Sequence, residues 1–400
     1  MSRPHPWLVL LVVAACGDDA TPDAGGTIAL PGRDGSAGIE SDGQTCDTQQ
    51  DPQNCGACGR VCPTGAHGTA ACSSGQCVLA CEPGWGDCNG SVIDGCETDL
   101  GNAVDHCGAC DRDCRTCGGA TCSQGKCDAS ELATAAGDIT LMNVDAEHIT
   151  YATATDVKQI TRADLEEKDV YSVSFTPWLV ATKTSVLFVV PGTETFAGIY
   201  STSPGFVGPQ IAAYARGENV DTFAFDETGA YYASQKKDSQ ARQLLRCNNC
   251  SVATVLSETE NRMSPGAITL DATTVFFGSA DMIRRVEKTA DGLKTIAVGQ
   301  SARSLQVDAN YIYWINEETS DVARLPKAGG DVEKIATGLD KPRWLTLAGD
   351  RLYVGDAQSV SRMEKDGSAR LELVRAPGPI AVDDACVFVA AGSSVRRVTR

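Results

Sequence analysis

The sequence predicts an all-β protein in which a seven-bladed β-propeller at the C-terminal end follows a disulfide-rich, loop-dominated region. Three observations predict this fold. Residues 46–127 hold fifteen of the 19 cysteines, and every Phe and Tyr lies after residue 150. An apolar strand pattern then recurs seven times at intervals of 35 to 45 residues. Short strands that repeat at a period of about 40 residues are typical of propellers, where each repeat forms one four-stranded blade.

The first residues predict export. Nine apolar residues, 7–15, follow Arg3 and end in two alanines, which is the layout of a secretory signal peptide over residues 1–15. Val13-Ala14-Ala15-Cys16 resembles the lipobox of bacterial lipoproteins, which implies a lipid-modified Cys16 and a place in the cell envelope, with the outer membrane expected. An ordinary signal peptide that leaves Cys16 free is the alternative. Later apolar runs are too short to cross a bilayer, so lipid is the only membrane attachment predicted.

Composition limits the partners of the exported chain. Its formal charge of −18 disfavours nucleic acid, because phosphate backbones are repelled by an acidic surface. Residues 16–45 are rich in Gly, Asp, Ser, Ala and Pro and show no hydrophobic period, which predicts a flexible linker. The dense cysteines of an exported chain predict disulfides.

Residues 46–127 contain a repeated six-cysteine pattern. CGACGRVC (55–62) returns as CGACDRDC (107–114), and AACSSGQC (70–77) returns as ATCSQGKC (120–127). With one aromatic residue and seven Val, Leu or Ile, the region cannot build an ordinary core, so cross-links must hold it. We expect each repeat to close within itself, with one further pair between the repeats, although the pairing inside each set stays open. The residues expected in disulfides are Cys46, Cys55, Cys58, Cys62, Cys72 and Cys77, then Cys81 with Cys88, then Cys96, Cys107, Cys110, Cys114, Cys122 and Cys127.

Two cysteines, Cys117 and Cys386, remain outside these sets, and they either pair with each other or stay free. GCETDLGNAVDHCGACDRDC (95–114) resembles cysteine-rich repeats of secreted and lipid-anchored proteins in gliding Gram-negative bacteria, and CVLACEPGW (77–85) resembles part of an EGF-like module. Both resemblances imply an extracellular spacer or adhesion segment. Zinc at the C-x2-C pairs is an alternative, as is calcium at Asp87, Asn89 and Asp94, but the prediction is that no metal or other cofactor is bound.

Residues 131–400 are predicted to form the propeller. The recurring cassettes are ITLMNVDAEHITYA (139–152), WLVATKTSVLFVV (178–190), TFAFDETGAYYAS (222–234), AITLDATTVFFGS (267–279), SLQVDANYIYWI (304–315), WLTLAGDRLYVG (344–355) and PIAVDDACVFVA (379–390). The last cassette is followed by residues for only one more strand, and an uncovered sheet edge favours aggregation. We therefore expect residues 131–135 to supply the outer strand of the seventh blade and to close the ring.

YIYWINEETSDVARLPKAGG (311–330) resembles the repeats of YWTD-like and NHL-like propellers, which implies the fold and no particular activity. Five cassettes carry an Asp at the end of their first strand, where the side chain is expected to bond turn amides: Asp145, Asp226, Asp271, Asp308 and Asp383. In the third blade, Cys247 and Cys250 are expected to form a local disulfide between the third and fourth strands.

No catalytic motif is present, and no catalytic residue is predicted. We expect ligands at the face where the first strand of each blade begins, with Arg303 and Arg343 from neighbouring blades binding one anion together. The residues of this candidate face are Asp221, Arg303 and Arg343, with Asp156, Lys236, Asp281, Asp321 and Asp356 in the loops alongside. Solvated charges without a ligand are the alternative.

The sequence therefore predicts a non-enzymatic envelope lipoprotein that binds a protein or a glycan. Two other hypotheses stay open. A metal-dependent propeller enzyme of the lactonase or lyase type would need acidic and amide ligands, such as Glu218, Asn219 and Asp221, to converge in the channel. A structural envelope component would need no ligand site.

Overall fold

A computed structural model describes residues 45–172, 220–235, 242–247, 253–259, 267–279 and 281–400, and the backbones of the strands at 37–39, 178–181, 186–190, 198–202 and 210–214. This part of the chain is all-β, with 36 strands, two short 3-10 helices and no α-helix. Where the chain is described, it has no helix with the length and hydrophobicity that a membrane crossing requires.

The cysteine-rich region contains short strands and turns. Its elements are β1 (Ala37–Ile39), β2 (Thr45–Asp47), β3 (Gly68–Ser73), β4 (Gln76–Cys81), β5 (Trp85–Gly86), β6 (Thr98–Asp99), the 3-10 helices Val104–His106 and Cys114–Cys117, β7 (Cys122–Ser123) and β8 (Lys126–Cys127). Consecutive strands pair as two-stranded sheets. β1 lies within the predicted linker 16–45, and the prediction of a flexible chain is wrong for residues 37–39, because their backbone pairs with β2. Buried cysteines take the place of a large apolar core here, since Cys55, Cys96 and Cys107 are each 0 % exposed.

Seven four-stranded antiparallel sheets form the propeller. After β9 (Ser130–Thr134), blade 1 consists of β10 (Leu141–Val144), β11 (His148–Ala152), β12 (Asp156–Thr161) and β13 (Glu167–Ser172). Blade 2 consists of β14 (Trp178–Ala181), β15 (Val186–Val190), β16 (Gly198–Thr202) and β17 (Gln210–Tyr214). Blade 3 consists of β18 (Val220–Asp226), β19 (Gly229–Gln235), β20 (Arg242–Cys247) and β21 (Thr254–Thr259).

The remaining blades follow the same order. Blade 4 consists of β22 (Ile268–Leu270), β23 (Thr274–Ser279), β24 (Met282–Glu287) and β25 (Lys294–Val298). Blade 5 consists of β26 (Ala302–Val307), β27 (Tyr311–Asn316), β28 (Asp321–Pro326) and β29 (Glu333–Ala336). Blade 6 consists of β30 (Trp344–Ala348), β31 (Arg351–Gly355), β32 (Val360–Glu364) and β33 (Leu371–Val374). Blade 7 consists of β34 (Ile380–Val382), β35 (Cys386–Ala391), β36 (Ser394–Thr399) and β9.

Blade 7 confirms the predicted closure of the ring. β9 pairs antiparallel with β36, with Thr134 opposite Ser394 and Ala133 opposite Val395. The strand covers Ser130–Thr134, one residue earlier than the predicted 131–135. The innermost strand β10 contacts β14 on one side and β34 on the other, so the first and last blades are neighbours.

The second strand of each blade reads as a continuous apolar run because neighbouring blades cover both of its faces. In β27, Trp314 is 0 % exposed and packs in a cluster with Phe276 of blade 4. The adjacent Tyr313, 1 % exposed, packs on the opposite side with Leu345 of blade 6. Alternate side chains therefore join blade 5 to both of its neighbours.

By backbone packing the chain divides into two compact units. One comprises the residues up to 62 together with 72–76, and the other comprises 63–71 together with 77–400. The second unit therefore contains the second cysteine repeat as well as the propeller.

The disulfides correct one expectation from the sequence. In the first repeat Cys46 bonds Cys58 and Cys55 bonds Cys72, and Cys62 and Cys77 are also disulfide-bonded. The second repeat has the matching bonds Cys107–Cys122 and Cys114–Cys127. Its other two cysteines bond outside the repeat, in Cys81–Cys96 and Cys88–Cys110. The expectation that Cys81 pairs with Cys88, and that the second repeat closes within itself, is therefore wrong.

Backbone pairing before the second repeat gives the physical reason. The Cys96 amide donates to the Ala66 carbonyl at 2.7 Å, and the Glu82 amide donates to the His67 carbonyl at 2.8 Å. The segment at 66–67 therefore holds Cys96 and the neighbour of Cys81 side by side. The cysteine pattern does not reveal the Cys81–Cys96 bond, because the segment that brings these two residues together, 63–67, contains no cysteine.

Candidate functional site

The structure places six of the eight candidate ligand-face residues at one end of the ring. Asp156, Asp281, Asp321 and Asp356 lie where the second strand connects to the third, in blades 1, 4, 5 and 6, and Arg303 and Arg343 lie at the start of β26 and just before β30. The side chain of Asp221, in β18, lies outside the described residues, as do Lys236, Glu218 and Asn219. The ligand cluster of the enzyme hypothesis therefore falls outside the described part of the chain.

Blades 5 and 6 are joined at this end of the ring. β26 has a bulge between Arg303 and Gln306, and Ser304 within it has a left-handed φ of 51°. From this position the Ser304 hydroxyl donates to the Arg343 carbonyl at 2.9 Å. Left-handed backbone is uncommon for a residue other than Gly and persists only where neighbouring contacts hold it. The bulge thus fixes the chain beside Arg343.

The two arginines of the predicted anion site differ in their surroundings. The Arg303 guanidinium forms an ion pair with Glu317, and both side chains are partly buried. The Arg343 side chain is exposed, while its backbone amide donates to the Gly355 carbonyl at 3.0 Å. Glu317 therefore already compensates the charge of Arg303, and Arg343 is the more accessible of the two.

The aspartates of this face have different roles. Asp356 is a turn residue, because its Oδ1 accepts from the amides of Gln358 and Ser359 at 2.9 and 2.8 Å. Asp321 is 2 % exposed, and its Oδ2 lies 2.7 Å from the Lys334 ammonium. Asp281 is exposed, and the Thr155 hydroxyl donates to Asp156 at 2.7 Å. Asp281 is accordingly the aspartate of this group that is most open to solvent.

The repeated aspartates at the other end of the ring bond turn amides, as the sequence predicts. In blade 5, Asp308 Oδ1 accepts from the amides of Asn310 and Tyr311 at 2.8 Å each. The sequence did not predict that the second carboxylate oxygen binds a cation of the next blade. The pairs are Asp226 with Lys288, Asp271 with Lys327, Asp308 with Lys365 and Asp383 with Arg162.

These interblade pairs affect titration. Burial pushes the pKa of Asp226, Asp271 and Asp308 upward, but the lysine ammonium groups and the turn amides outweigh it and hold each pKa below the usual value for Asp. The signal that would have revealed them is present in the sequence, since a basic residue ends RRVEK (284–288), ARLPK (323–327) and SRMEK (361–365). The carboxylates are therefore structural and hold neighbouring blades together.

The second cysteine repeat packs on blades 6 and 7 through buried polar contacts. Arg112 is 0 % exposed and donates to the Thr399 carbonyl from Nε at 3.2 Å and from a terminal nitrogen at 3.1 Å. Burial is the main cause that lowers the pKa of Arg112 to about 10, and Arg362 adds to it. Asp111 lies 2.7 Å from Arg351 and 3.1 Å from Arg362. These contacts make the repeat part of the same folded body as the propeller.

A disulfide links the same two parts covalently. Cys117 bonds Cys386, which lies 269 residues further along the chain. Cys117 ends the 3-10 helix Cys114–Cys117, and Cys386 begins β35. The two cysteines that the sequence left unassigned therefore pair with each other.

Two groups of side chains were the candidates for metal binding: cysteines for zinc, and Asp87, Asn89 and Asp94 for calcium. The sulfurs of Cys107, Cys114 and Cys127 lie within 4.8 Å of one another, but all three are disulfide-bonded and offer no thiolate. In the calcium candidate, Asp87 Oδ1 accepts from the Ser91 amide at 3.0 Å, and Asp94 Oδ2 accepts from Asn89 Nδ2 at 2.9 Å. Local hydrogen bonds thus account for the arrangement of these side chains.

Cys16 lies outside the described residues. In the third blade, Cys247 ends β20 and is disulfide-bonded, while Cys250 lies outside the described part of the chain.

Comparison with known proteins supports the fold. No protein-family model and no curated protein sequence matches this chain. Among solved structures, a streptogramin B lyase is 13 % identical and superposes with a TM-score of 0.52, covering 68 % of this chain and 96 % of that chain. A chain of a nidogen/laminin complex is 16 % identical with a TM-score of 0.41, covering 52 % and 84 %. The designed protein Ika8 is 12 % identical with a TM-score of 0.46, covering 67 % and 99 %. The likeness to the streptogramin B lyase is one of fold alone.

Proposed function

We propose that the protein is an exported lipoprotein of the bacterial cell envelope whose propeller binds a protein partner at the end of the ring that carries Arg343. The observation that carries the proposal is the fixed pair of loops in blades 5 and 6. There Ser304 donates to the Arg343 carbonyl and Arg303 pairs with Glu317. Recognition, without chemistry, is the function that this arrangement supports best.

The physical argument rests on preorganisation. Binding costs entropy for every side chain and loop that must be ordered, so charges already held by a rigid scaffold lose less on association. Arginine is enriched at protein interfaces because its planar guanidinium forms several directed hydrogen bonds. With Arg303 compensated by Glu317, the exposed Arg343 supplies one positive charge on an acidic protein. A partner with a carboxylate opposite Arg343 fits this pattern.

The anchor and linker belong to the same proposal. A lipid on Cys16 attaches the chain to the membrane, and residues 16–36, which precede β1, then act as a flexible tether. A chain of this length and composition spans roughly 25 Å on average, which separates the folded parts from the membrane surface. Such separation gives a binding face access to partners on the surface.

Site-specific photo-crosslinking in envelope preparations from the producing cells tests the binding face. A benzophenone amino acid replaces Arg343 in one variant, and in a matched control it replaces Thr289, which is exposed at the opposite end of the ring. We expect an adduct of defined mass from position 343 and none from position 289. Equal labelling from both positions, or none from position 343, would overturn the proposal. An adduct that resists protease but is removed by glycosidases would assign the partner to the glycans.

A further inference from the structure

The contacts between neighbouring blades repeat a second interaction, made by an arginine on the third strand. The Arg246 guanidinium donates to the Lys288 carbonyl of the next blade at 3.0 Å. Arg285 donates to the Lys327 carbonyl at 3.4 Å, and Arg324 donates to the Lys365 carbonyl at 3.0 Å. Each arginine therefore donates to the backbone carbonyl of a lysine in the next blade. The ammonium group of that lysine binds the aspartate that lies in the same blade as the arginine.

Arg397 holds the equivalent position in blade 7. It lies opposite Phe388 in the sheet, as Arg285 lies opposite Phe276 in blade 4. Its expected acceptor is the carbonyl of Arg162, which binds Asp383 as the lysines bind their aspartates. The Nε of Arg397 is buried without a hydrogen-bond partner, as it is in Arg246 and Arg285. What distinguishes Arg397, in the described part of the chain, is that its terminal nitrogens have no carbonyl acceptor in the next blade, whereas Arg246 and Arg285 have one. The junction between blades 7 and 1 thus breaks the repeat.

The turn of blade 1 explains the difference. In blade 4 the Glu287 amide donates to the Asp291 carbonyl, four residues on, and blade 6 has the same spacing from Glu364 to Ser368. In blade 1 the Thr161 amide donates to the Glu166 carbonyl, five residues on. The wider turn includes Leu165, which has a left-handed φ of 59° and is 41 % exposed.

A cavity of about 320 Å³ lies where the arginine–carbonyl contact would be. Leu165, 41 % exposed, supplies the accessible apolar surface, while Ile149 and Phe388 form a floor that is 1 % and 2 % exposed. Arg162 and Arg397 line the cavity as well. Arg162 is compensated by Asp383 and also donates to the Asp145 carbonyl at 2.8 Å. Arg397 is therefore the cation of this cavity whose hydrogen bonds are unused.

We propose that this cavity binds a compact carboxylate that carries an apolar group. The two carboxylate oxygens accept hydrogen bonds from Arg397, whose planar fork matches their spacing, and the apolar group packs on Leu165 above the floor formed by Ile149 and Phe388. One uncompensated guanidinium balances one negative charge, which favours a carboxylate over a phosphate. The volume is at the lower end of the range for small-molecule sites, so the whole ligand is small.

The same chemistry is offered by a free acid and by the C-terminal residue of a peptide. The site lies at the end of the ring opposite Arg343, so it is independent of the protein-binding face proposed above. Loss of carboxylate binding therefore leaves binding of the protein partner unaffected, and the reverse holds as well.

Calorimetric titration of the oxidised, full mature chain tests the site. The probes are N-acetyl-leucine, its uncharged match N-acetyl-leucinamide, and a tetrapeptide that ends in leucine, with and without C-terminal amidation. We expect N-acetyl-leucine to bind at least about tenfold more tightly than its amide, and Arg397→Gln to weaken binding by about tenfold or more. Binding of the free-acid peptide would extend the site to chain termini, and binding of N-acetyl-leucine alone would restrict it to free acids; both support the proposal. No saturable binding of either carboxylate at millimolar concentration, or equal binding to Arg397→Gln, would overturn it.

A stability measurement provides the matched control. Arg285 joins blade 4 to blade 5 through the Lys327 carbonyl, whereas Arg397 has no equivalent acceptor. We expect Arg285→Gln to lower the thermal midpoint and Arg397→Gln to leave it unchanged in the absence of ligand. An equal loss in both variants would show that Arg397 is an ordinary interblade contact and would contradict the proposal.

Discussion

At the scale of single residues, the interblade pairs show how a repeat sequence encodes contacts between its units. Lys288 is 8 % exposed in its side chain and binds Asp226, which lies in the preceding blade. The turn role of Asp226 follows from the sequence, because Asp commonly bonds the amides of its own turn. Its second partner comes from 62 residues further along the chain, and only comparison of the repeats, several of which have a basic residue after the third strand, signals such a contact.

Removing this cation leaves a partly buried carboxylate without its partner. We therefore expect Lys288→Met to lower the free energy of unfolding by about 2 kcal/mol at pH 7, from the loss of one charged hydrogen bond in a mostly buried site. Lys294→Met, at an exposed position, is the control and should change it by less than about 0.5 kcal/mol. Denaturant unfolding of the three proteins measures the difference.

The same pair predicts a pH dependence. The pKa of Asp226 is lower in the folded protein than its ordinary value, so its contribution to stability is present above about pH 4. That contribution disappears as the pH falls through the lower, folded pKa. The gap between wild type and Lys288→Met should therefore shrink below pH 4, and a constant gap down to pH 2 would contradict the assignment.

At the scale of elements, the closing strand β9 and the 3-10 helix Cys114–Cys117 both attach the N-terminal side of the propeller to blade 7. β9 pairs with β36. The helix, which precedes β9 in the chain with β7 and β8 between them, is bonded through Cys117 to Cys386 in β35 of the same blade. The need for a closing strand was predictable, because the last cassette leaves blade 7 one strand short. The covalent lock was not, since two isolated cysteines carry no information about their distance in space.

The lock predicts a large effect on stability. The disulfide encloses 269 residues. Its removal increases the entropy of the unfolded chain, which should lower the free energy of unfolding by about 5 kcal/mol. We expect Cys117→Ser with Cys386→Ser to unfold at lower denaturant than the wild type under non-reducing conditions. The control variant, Cys88→Ser with Cys110→Ser, removes a disulfide that joins residues only 22 apart in sequence, and it should lower the free energy of unfolding by less. The reverse order of the two effects would contradict this account.

At the scale of the whole molecule, the number of blades follows from the sequence and the attachment of the second cysteine repeat does not. The cassette period places seven four-stranded blades, as the structure has them. Nothing in CGACDRDC shows that Arg112 becomes fully buried against Thr399, because a charged residue in a polar loop is ordinarily solvated. The sequence predicts where the candidate ligand face lies but not its contacts, since the ion pair of Arg303 with Glu317 and the hydrogen bond from Ser304 in the β26 bulge appear only in the structure.

We propose that an exported, lipid-anchored chain is oxidised into a propeller whose ring is locked by its own cysteine repeat. Mass spectrometry of the membrane-extracted protein, digested without reduction after thiol alkylation, tests it most directly. The account predicts an acylated N-terminal peptide that begins at Cys16, and linked peptides that join Cys117 to Cys386, Cys81 to Cys96 and Cys88 to Cys110. An unmodified Cys16 together with alkylated Cys117 and Cys386 would contradict it.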